Sequence, residues 1–590
     1  ELVKGDKATC LSMPRQVVIT ERIARKYFQD EDPIGKILIF TGPYDKVVCE
    51  VTGVMKEMPS NSHIHYNFLI SYKSLGQYLH DYWYKHEVYT YVLLDSPERK
   101  EEIEKAFPAM SEKYKTDEAL KNKIWGVSLT PLADIHLKPQ VGYEAEIKGN
   151  RTAMIALIFA AIAILAIAWI NYINLTVARS MERAKEVGVR RVIGAFRKQL
   201  VSQFLFEALV MNLVALVLAV GLIELILPYF NQLVSRTVTF SVWLTGYWWL
   251  LLLIVFVGGI FLSGYYPALA LLNRKPITLL KGKFLNSKSG EGTRKVLVVV
   301  QYTASMILLC GTLIVFAQLN FMRNQSLGVK TDQTLVVKFP GRTEGMNTKL
   351  EAMKKAIARL PLVDKVTFSG AVPGEEVATF LSNRRKSDAL KQNRLYEMLV
   401  CDPDYIDAYG LQLVAGRGFS EDYGDDVNKL VVNESAVRNL GIASNEEALG
   451  EEIEVECTDA PMQIIGVVKD YHQQALNKNY TPIMLIHKDK IGWLPQRYIS
   501  IVMKSGDPKE LVSQVEEIWH RYFEDSSYDF FFLDQFFDHQ YRQDEVFGVM
   551  IGCFTGLAIF ISCLGLWVLV MFSCTTRTKE MGIRKVLGAT

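Results

Sequence analysis

Five stretches of this chain are long and apolar enough to cross a bilayer, which takes about 20 mainly apolar residues. They run roughly from Met154 to Val177, Phe204 to Phe230, Trp243 to Leu272, Val296 to Leu319 and Val546 to Met571. Runs such as AMIALIFAAIAILAIAWI are apolar on every face, so a helix built from them has no polar side to offer water. A bilayer gives backbone amides no hydrogen-bond partner, so these runs have to be helices. The rest of the chain is of a different kind: 22% of its 590 residues are charged, against 49% hydrophobic. The expected fold class is therefore mixed, an α-helical transmembrane bundle with soluble α/β domains. A net charge of +2 carries no signal for nucleic acid.

Basic residues orient the spans. Residues 179–198 carry seven Lys or Arg (Arg179, Arg183, Lys185, Arg190, Arg191, Arg197, Lys198), and residues 273–295 carry seven more. Both segments are expected on the cytoplasmic side. The loop 231–242 holds only Arg236, and Trp243, Tyr247, Trp248 and Trp249 gather beside it as an interfacial belt would. Alternation then puts residues 1–150 and 320–545 outside and the tail 573–590 inside.

The chain is a tandem duplication. Glu186-Val-Gly-Val-Arg-Arg-Val-Ile-Gly-Ala195 returns as Glu580-Met-Gly-Ile-Arg-Lys-Val-Leu-Gly-Ala589, displaced by 394 residues without a gap, and each copy follows a long apolar run. The outer regions repeat as well: Gln16-Val-Val-Ile-Thr-Glu21 matches Lys429-Leu-Val-Val-Asn-Glu434, and Val51-Thr-Gly-Val-Met-Lys56 matches Ile464-Ile-Gly-Val-Val-Lys469, both displaced by 413. Projecting one copy on the other predicts an intact protein with about 120 more residues before Glu1 and about 80 after Thr590, and eight spans in two sets of four.

These residues resemble the FtsX-like permeases of MacB-type ABC transporters. The resemblance rests on the order span, large outer domain, span, basic E-x-G-x-R-[RK]-x-x-G-A segment, Gln203-Phe-Leu-Phe-Glu-Ala208, two spans, Pro267-Ala and Pro276-Ile-x-x-Leu-Lys281. The outer regions resemble the MacB periplasmic core domain through Leu413-x-x-Gly416-Arg417 and the Ile-Gly-Val-Val-Lys strand. The resemblance implies residues 1–150 as the C-terminal part of a first periplasmic core domain. Residues 151–285 become a first FtsX-like block with a coupling segment at 178–200, and 286–319 a cytoplasmic linker and span. Residues 320–545 become a second core domain, and 546–590 the start of a second block with a coupling segment at 577–590. It further implies a multi-pass protein of the bacterial inner membrane, a fused pseudo-dimer whose coupling segments are gripped by a cytoplasmic ABC ATPase dimer. Force would pass along the spans to the periplasmic domains to export or extract an amphiphile, peptide or drug, with a periplasmic or outer-membrane component as a further partner. The alternative within the same family is a transducer that activates a periplasmic cell-wall hydrolase or a sensor.

On this reading the docking residues are Glu186, Gly188, Arg190, Arg191 and Gly194 in the first copy and Glu580, Gly582, Arg584, Lys585 and Gly588 in the second. Gly188 and Gly194 each cost roughly 1 kcal/mol in a helix interior relative to Ala, so they suggest a helix end or a close backbone approach. Glu207 is expected in an interfacial helix entering the next span, paired with Lys or Arg. Asn171 and Asn174 suit hydrogen bonds across helices; copy two has Gly565 and Val568 there, which argues for local packing. Gly258, Gly259, Ser263 and Gly264 suit close helix packing, with a hinge as the alternative. No phosphate-binding G-x-x-x-x-G-K-[ST] occurs, so the chain is expected to carry no cofactor, ATP being bound by a partner. His63, His65 and His472 lack a second pair at zinc-ligand spacing, and no catalytic residue or metal site is expected. Cys10 with Cys49 is a possible disulfide.

Overall fold

The computed structural model describes the chain apart from residues 42–45, 60–61, 80–87, 116–124, 138–148, 183, 242–245, 266–267, 270–271, 273–287, 342–345, 378, 389–392, 457, 477, 525, 577–586 and 589–590. Two units emerge: Glu1–Gly149 with Ser326–Tyr541, and Asn150–Gln325 with Arg542–Thr590.

In the first unit, residues near the start build a small sheet from β1 (Leu2–Lys4), β2 (Gln16–Thr20), β3 (Ile37–Thr41), β4 (Lys46–Met55) and β5 (Phe68–Ile70), in the order β1-β4-β2-β5 with β3 on β4. Helix α1 (Glu21–Phe28) follows β2 and contributes Ile23 to a core of Val17, Ile19, Cys49, Val51 and Val54. A second helix, α2 (Arg99–Tyr114), lies further along the chain. Cys10 and Cys49 are both buried free thiols in separate clusters, so the disulfide allowed by the sequence is not formed.

The larger sheet comprises β6 (Thr334–Lys338), β7 (Val363–Ser369), β8 (Phe380–Arg385), β9 (Arg394–Cys401), β10 (Leu413–Gly416), β11 (Lys429–Asn433), β12 (Glu452–Glu454), β13 (Met462–Val468), β14 (Ile483–His487), β15 (Tyr498–Met503) and β16 (Phe530–Phe532). Six of these, in the order β14-β11-β13-β12-β8-β9, close on themselves because β14 also pairs with β9. Alternate residues fill the closed ring: Tyr396, Met398, Leu430, Val432, Ile464, Met484 and Ile486 are buried together. The remaining path β7-β15-β6-β16 supports α8 (Met346–Ala358) and α11 (Pro508–Tyr522), whose Leu511, Val515, Ile518 and Trp519 recur at helical spacing and enter one core. Asp507 starts α11 by accepting a hydrogen bond from the Lys509 amide at 2.9 Å, with Pro508 in the first turn. Between these elements lie the short helices α9 (Tyr405–Ala408) and α10 (Glu434–Asn439).

The second unit is helical: α3 (Arg151–Glu182), α4 (Ala184–Val192), α5 (Arg197–Val234), α6 (Trp248–Ile260) continuing into a π-helical turn Phe261–Tyr265, α7 (Lys288–Asn324) and, from Arg542 onward, α12 (Leu533–Thr576). Among the described residues, five helices are long and apolar enough to cross a membrane, and they fall on the five apolar stretches. Apolar side chains such as Phe159, Leu218, Ile254 and Phe560 stay exposed, as lipid-facing residues do. The antiparallel helices α7 and α12 meet along a polar seam. Ser305 and Ser562 share a hydrogen bond at 2.8 Å and Thr312 and Thr555 one at 2.6 Å, one heptad apart on both helices. Gly548 and Gly552 make room on the same face for Leu319 and Phe316. Gly259 and Gly264 are likewise packing positions, the first against Asn212 and Trp169 and the second against Ala208 and the Phe204 carbonyl, whereas Gly258 faces open space.

Candidate coupling surface

Helix α4 is short because Gly194 ends it. Gly194 has φ +104°, the Gly194 amide donates to the Arg191 carbonyl, and the Ala195 amide donates to the Arg190 carbonyl at 2.9 Å. This pair of bonds around a left-handed glycine is a Schellman C-cap, which a side chain at position 194 would strain. The chain then re-enters a helix at once. The Phe196 amide donates to the Gln199 side chain at 3.0 Å, and α5 starts at Arg197.

The two faces of α4 differ in chemistry. Its inner face holds Val187 and Gly188, both buried, and Val187 packs with Leu200, Ala268 and Leu272 against Ala195, Val201 and Phe204. Arg191 is half-buried and donates to the Leu272 carbonyl at 3.2 Å, which ties α4 to the segment after α6. Arg190 pairs with Glu186 at 2.7 Å and donates to the Gln203 side chain at 2.8 Å; Gln203 in turn donates to Glu207 at 3.3 Å. Glu186, Arg190, Gln203 and Glu207 thus form one chain of polar contacts from α4 to α5. Glu207, expected to pair with a Lys or Arg, accepts from Gln203, which itself accepts from Arg190.

Beside the exposed Glu186 and Arg190, the end of α4 and the turn after it present apolar side chains outward. Val189, Val192, Ile193 and Phe196 are exposed, Ile193 at 81%. Charged sequence suggested the contact surface; the residues left without a packing partner are the aliphatic ones between the charges. Their signal was present in the motif, since Val-Ile in one copy stands where Val-Leu stands in the other. Glu580, Gly582, Arg584 and Lys585 lie outside the described residues, as do Pro276, Lys281 and Trp243. Two positions of the second copy are described. Gly588, equivalent to Gly194, has φ +87°, and Leu587, equivalent to Ile193, is 80% exposed. Among the described residues no group of three or more His, Cys, Asp or Glu is placed to hold a metal.

Comparison with known proteins matches the MacB-like periplasmic core domain over residues 2–110 and 303–518, more than half of the chain, and the FtsX-like permease C-terminal region over residues 158–276. A probable export ATP-binding/permease protein of Pseudomonas fluorescens is 25% identical over 192 residues, covering 31% of this chain and 29% of the relative. The uncharacterized ABC transporter permease YvrN of Bacillus subtilis is 22% identical over 208 residues, 32% of this chain and 48% of the relative. The macrolide export ATP-binding/permease protein MacB of Campylobacter jejuni is 32% identical over 133 residues, 22% of this chain and 20% of the relative. The chain therefore spans less than half the length of these relatives. Among solved structures, the periplasmic region of MacB from Actinobacillus actinomycetemcomitans is 16% identical and aligns with TM-score 0.27 over 37% of this chain and 97% of that one. With its helices long enough to cross a membrane and its two stretches of MacB-like core, this chain belongs to the FtsX-like ABC transporter permeases that carry MacB-like periplasmic core domains.

Proposed function

We propose that the protein is the membrane permease subunit of a MacB/FtsX-type ABC transporter, driven by a separate cytoplasmic ATPase that binds both coupling segments. The observation that carries this reading is the pair of exposed aliphatic tips, Ile193 and Leu587, each placed next to a left-handed glycine at equivalent positions of the duplication. An exposed aliphatic side chain that fills a pocket of a partner is removed from water, and that burial contributes to binding. The charges around it steer and orient the encounter. Two such knobs on one polypeptide suit a two-fold ATPase dimer.

Movement of the ATPase would reach the spans by two routes. In the first copy, α4 is packed on the start of α5 and bonded to Leu272, so a push on Ile193 displaces several helices together. In the second copy, the coupling segment follows α12, a continuous helix whose first turns bury Leu533 and Phe537 among β-sheet residues. The core domains would then move on the periplasmic side of the inner membrane and export or extract an amphiphile, peptide or drug.

The test is made on the full-length protein in membranes. Ile193→Asp with Leu587→Asp should abolish co-purification of the ATPase and its stimulated hydrolysis while insertion is unchanged. Retention of both would overturn the docking role. Sidedness is read by labelling: a cysteine at the exposed Lys355 should react from the periplasm and one at Lys198 only from the cytoplasm. The reverse pattern would overturn the topology.

A further inference from the structure

Asn171 of α3 and Gly565 of α12 stand 394 residues apart, the same displacement that separates the two coupling motifs. They are therefore equivalent positions of the duplication, and they touch each other. A Cβ added at Gly565 would overlap the Asn171 side-chain oxygen and lie 2.7 Å from its Nδ2. That Nδ2 donates to the Ile561 carbonyl at 2.6 Å. Equivalent residues of two symmetry-related elements meet only on the axis that relates them, so α3 and α12 cross on the internal two-fold axis.

In a dimer of identical subunits such a site would place a residue against its own copy. Asn against Asn overfills it, because the space for the amide exists only where position 565 has no Cβ. Gly against Gly leaves a void and removes the hydrogen bond to Ile561. The mixed pair alone fills the site. A helical side chain lies over the turn that precedes it, so a glycine at 565 also uncovers the carbonyl of Ile561, which the amide then uses. The seam between α7 and α12 holds α12 in register through Ser305 with Ser562 and Thr312 with Thr555.

We propose that Asn171 and Gly565 form a size-matched key that commits the first half of the permease to the second half of the same polypeptide, and that this face does not accept another copy of the chain. One polypeptide then supplies both halves that meet at this site. This rests on reading the coupling segments as one docking pair only for the number of ATPases served; the key itself is tested without any ATPase.

The experiment uses full-length protein solubilised from membranes, read by thermal unfolding and by co-purification of two differently tagged copies. Gly565→Ala alone should lower the melting temperature by about 5 °C, since even one methyl group overlaps the Asn171 amide. Asn171→Gly in the Gly565→Ala background should recover at least half of that loss, because the amide no longer competes for the space. Wild-type copies should not co-purify. A neutral Gly565→Ala, a double variant no better than Gly565→Ala, or stable pairing of wild-type copies that Gly565→Ala disrupts would each overturn the proposal. Failure of the docking reading shows instead as retained ATPase binding in Ile193→Asp with Leu587→Asp, a result that leaves the melting temperatures of the Gly565 variants untouched, so the two readings fail separately.

Discussion

The duplication is conserved in one part of the molecule and broken in another, and the contrast separates two kinds of constraint. In the soluble unit, β2 on β4 and β11 on β13 are parallel pairs with the same register throughout. Gln16 faces Glu50 as Lys429 faces Gln463, and both ladders slip at the same step, between Val17 and Val18 and between Leu430 and Val431. Gly5 and Gly416 both have positive φ, and a Cβ at either would strike a backbone carbonyl, of Thr52 and of Ile465 respectively, themselves 413 apart. In the membrane unit, α3 and α12 each lead into a copy of the coupling motif yet differ at Asn171 and Gly565. Each β-pair satisfies itself, so the same backbone geometry selects the same residues twice. The two spans satisfy one another, so complementarity selects different residues.

The largest expected effect tests the conserved half of this contrast. Gly416→Val combines a left-handed backbone with a clash against the Ile465 carbonyl and should cost more than about 4 kcal/mol, exposing the 326–541 region to limited proteolysis. Gly5→Val should do the same to the sheet at residues 2–70, and tolerance at either site would break the equivalence.

A pH titration distinguishes the soluble regions next. Glu397, on β9, is 1% exposed, and burial pushes its carboxyl up to about 7 from an ordinary value near 4.5. A carboxyl raised on folding favours the folded state while protonated. Its contribution is complete below about pH 4.5 and is lost as the pH rises to about 7, with a plateau above. Glu397→Gln should flatten this dependence and stabilise the second region at pH 8 by roughly 2 to 3 kcal/mol. An unchanged slope in denaturant melts across that window would rule out the buried acid as its source.

Helix starts offer a smaller, paired test. Asn433 accepts from the Ala436 and Ile483 amides at 2.9 Å each and donates to the Thr481 carbonyl at 2.8 Å. Thr20, its equivalent, forms no cap and leaves its buried hydroxyl without a partner. Asn433→Ala should cost about 2 kcal/mol and Thr20→Val less than about 0.5 kcal/mol. Equal losses in chemical denaturation would show that the two helix starts are held alike.

Much of the fold was legible in the sequence because its signals are local or periodic. The five spans follow from length and hydropathy, α11 from the spacing of Leu511, Val515, Ile518 and Trp519, and the repeated strands from internal similarity. The end of α4 was legible too, since only the backbone of one residue is involved at Gly194. The coupling surface was legible only in part. The basic residues marked the segment, but that Arg190 is engaged by Glu186 and Gln203, and Arg191 by the Leu272 carbonyl, depends on helices distant in the chain. The closed ring of six strands was also out of reach, because the β9 to β14 pairing joins residues about 86 apart in the chain, such as Glu397 and Ile483, with no local signature.

By itself the sequence determined the number and place of the spans, the duplication and the motif that recurs at its ends, because hydropathy and repetition are properties of the chain read in one dimension. Only the tertiary structure decided which faces are spent and which remain. It paired Arg190 with Glu186 and Gln203, tied Arg191 to the Leu272 carbonyl and left Ile193 out, and it set Asn171 against Gly565. In the sequence that last pair read as a failure of the repeat. Packing makes it a fit, because close approach of two helices is decided by the volume each gives up at the point where they cross.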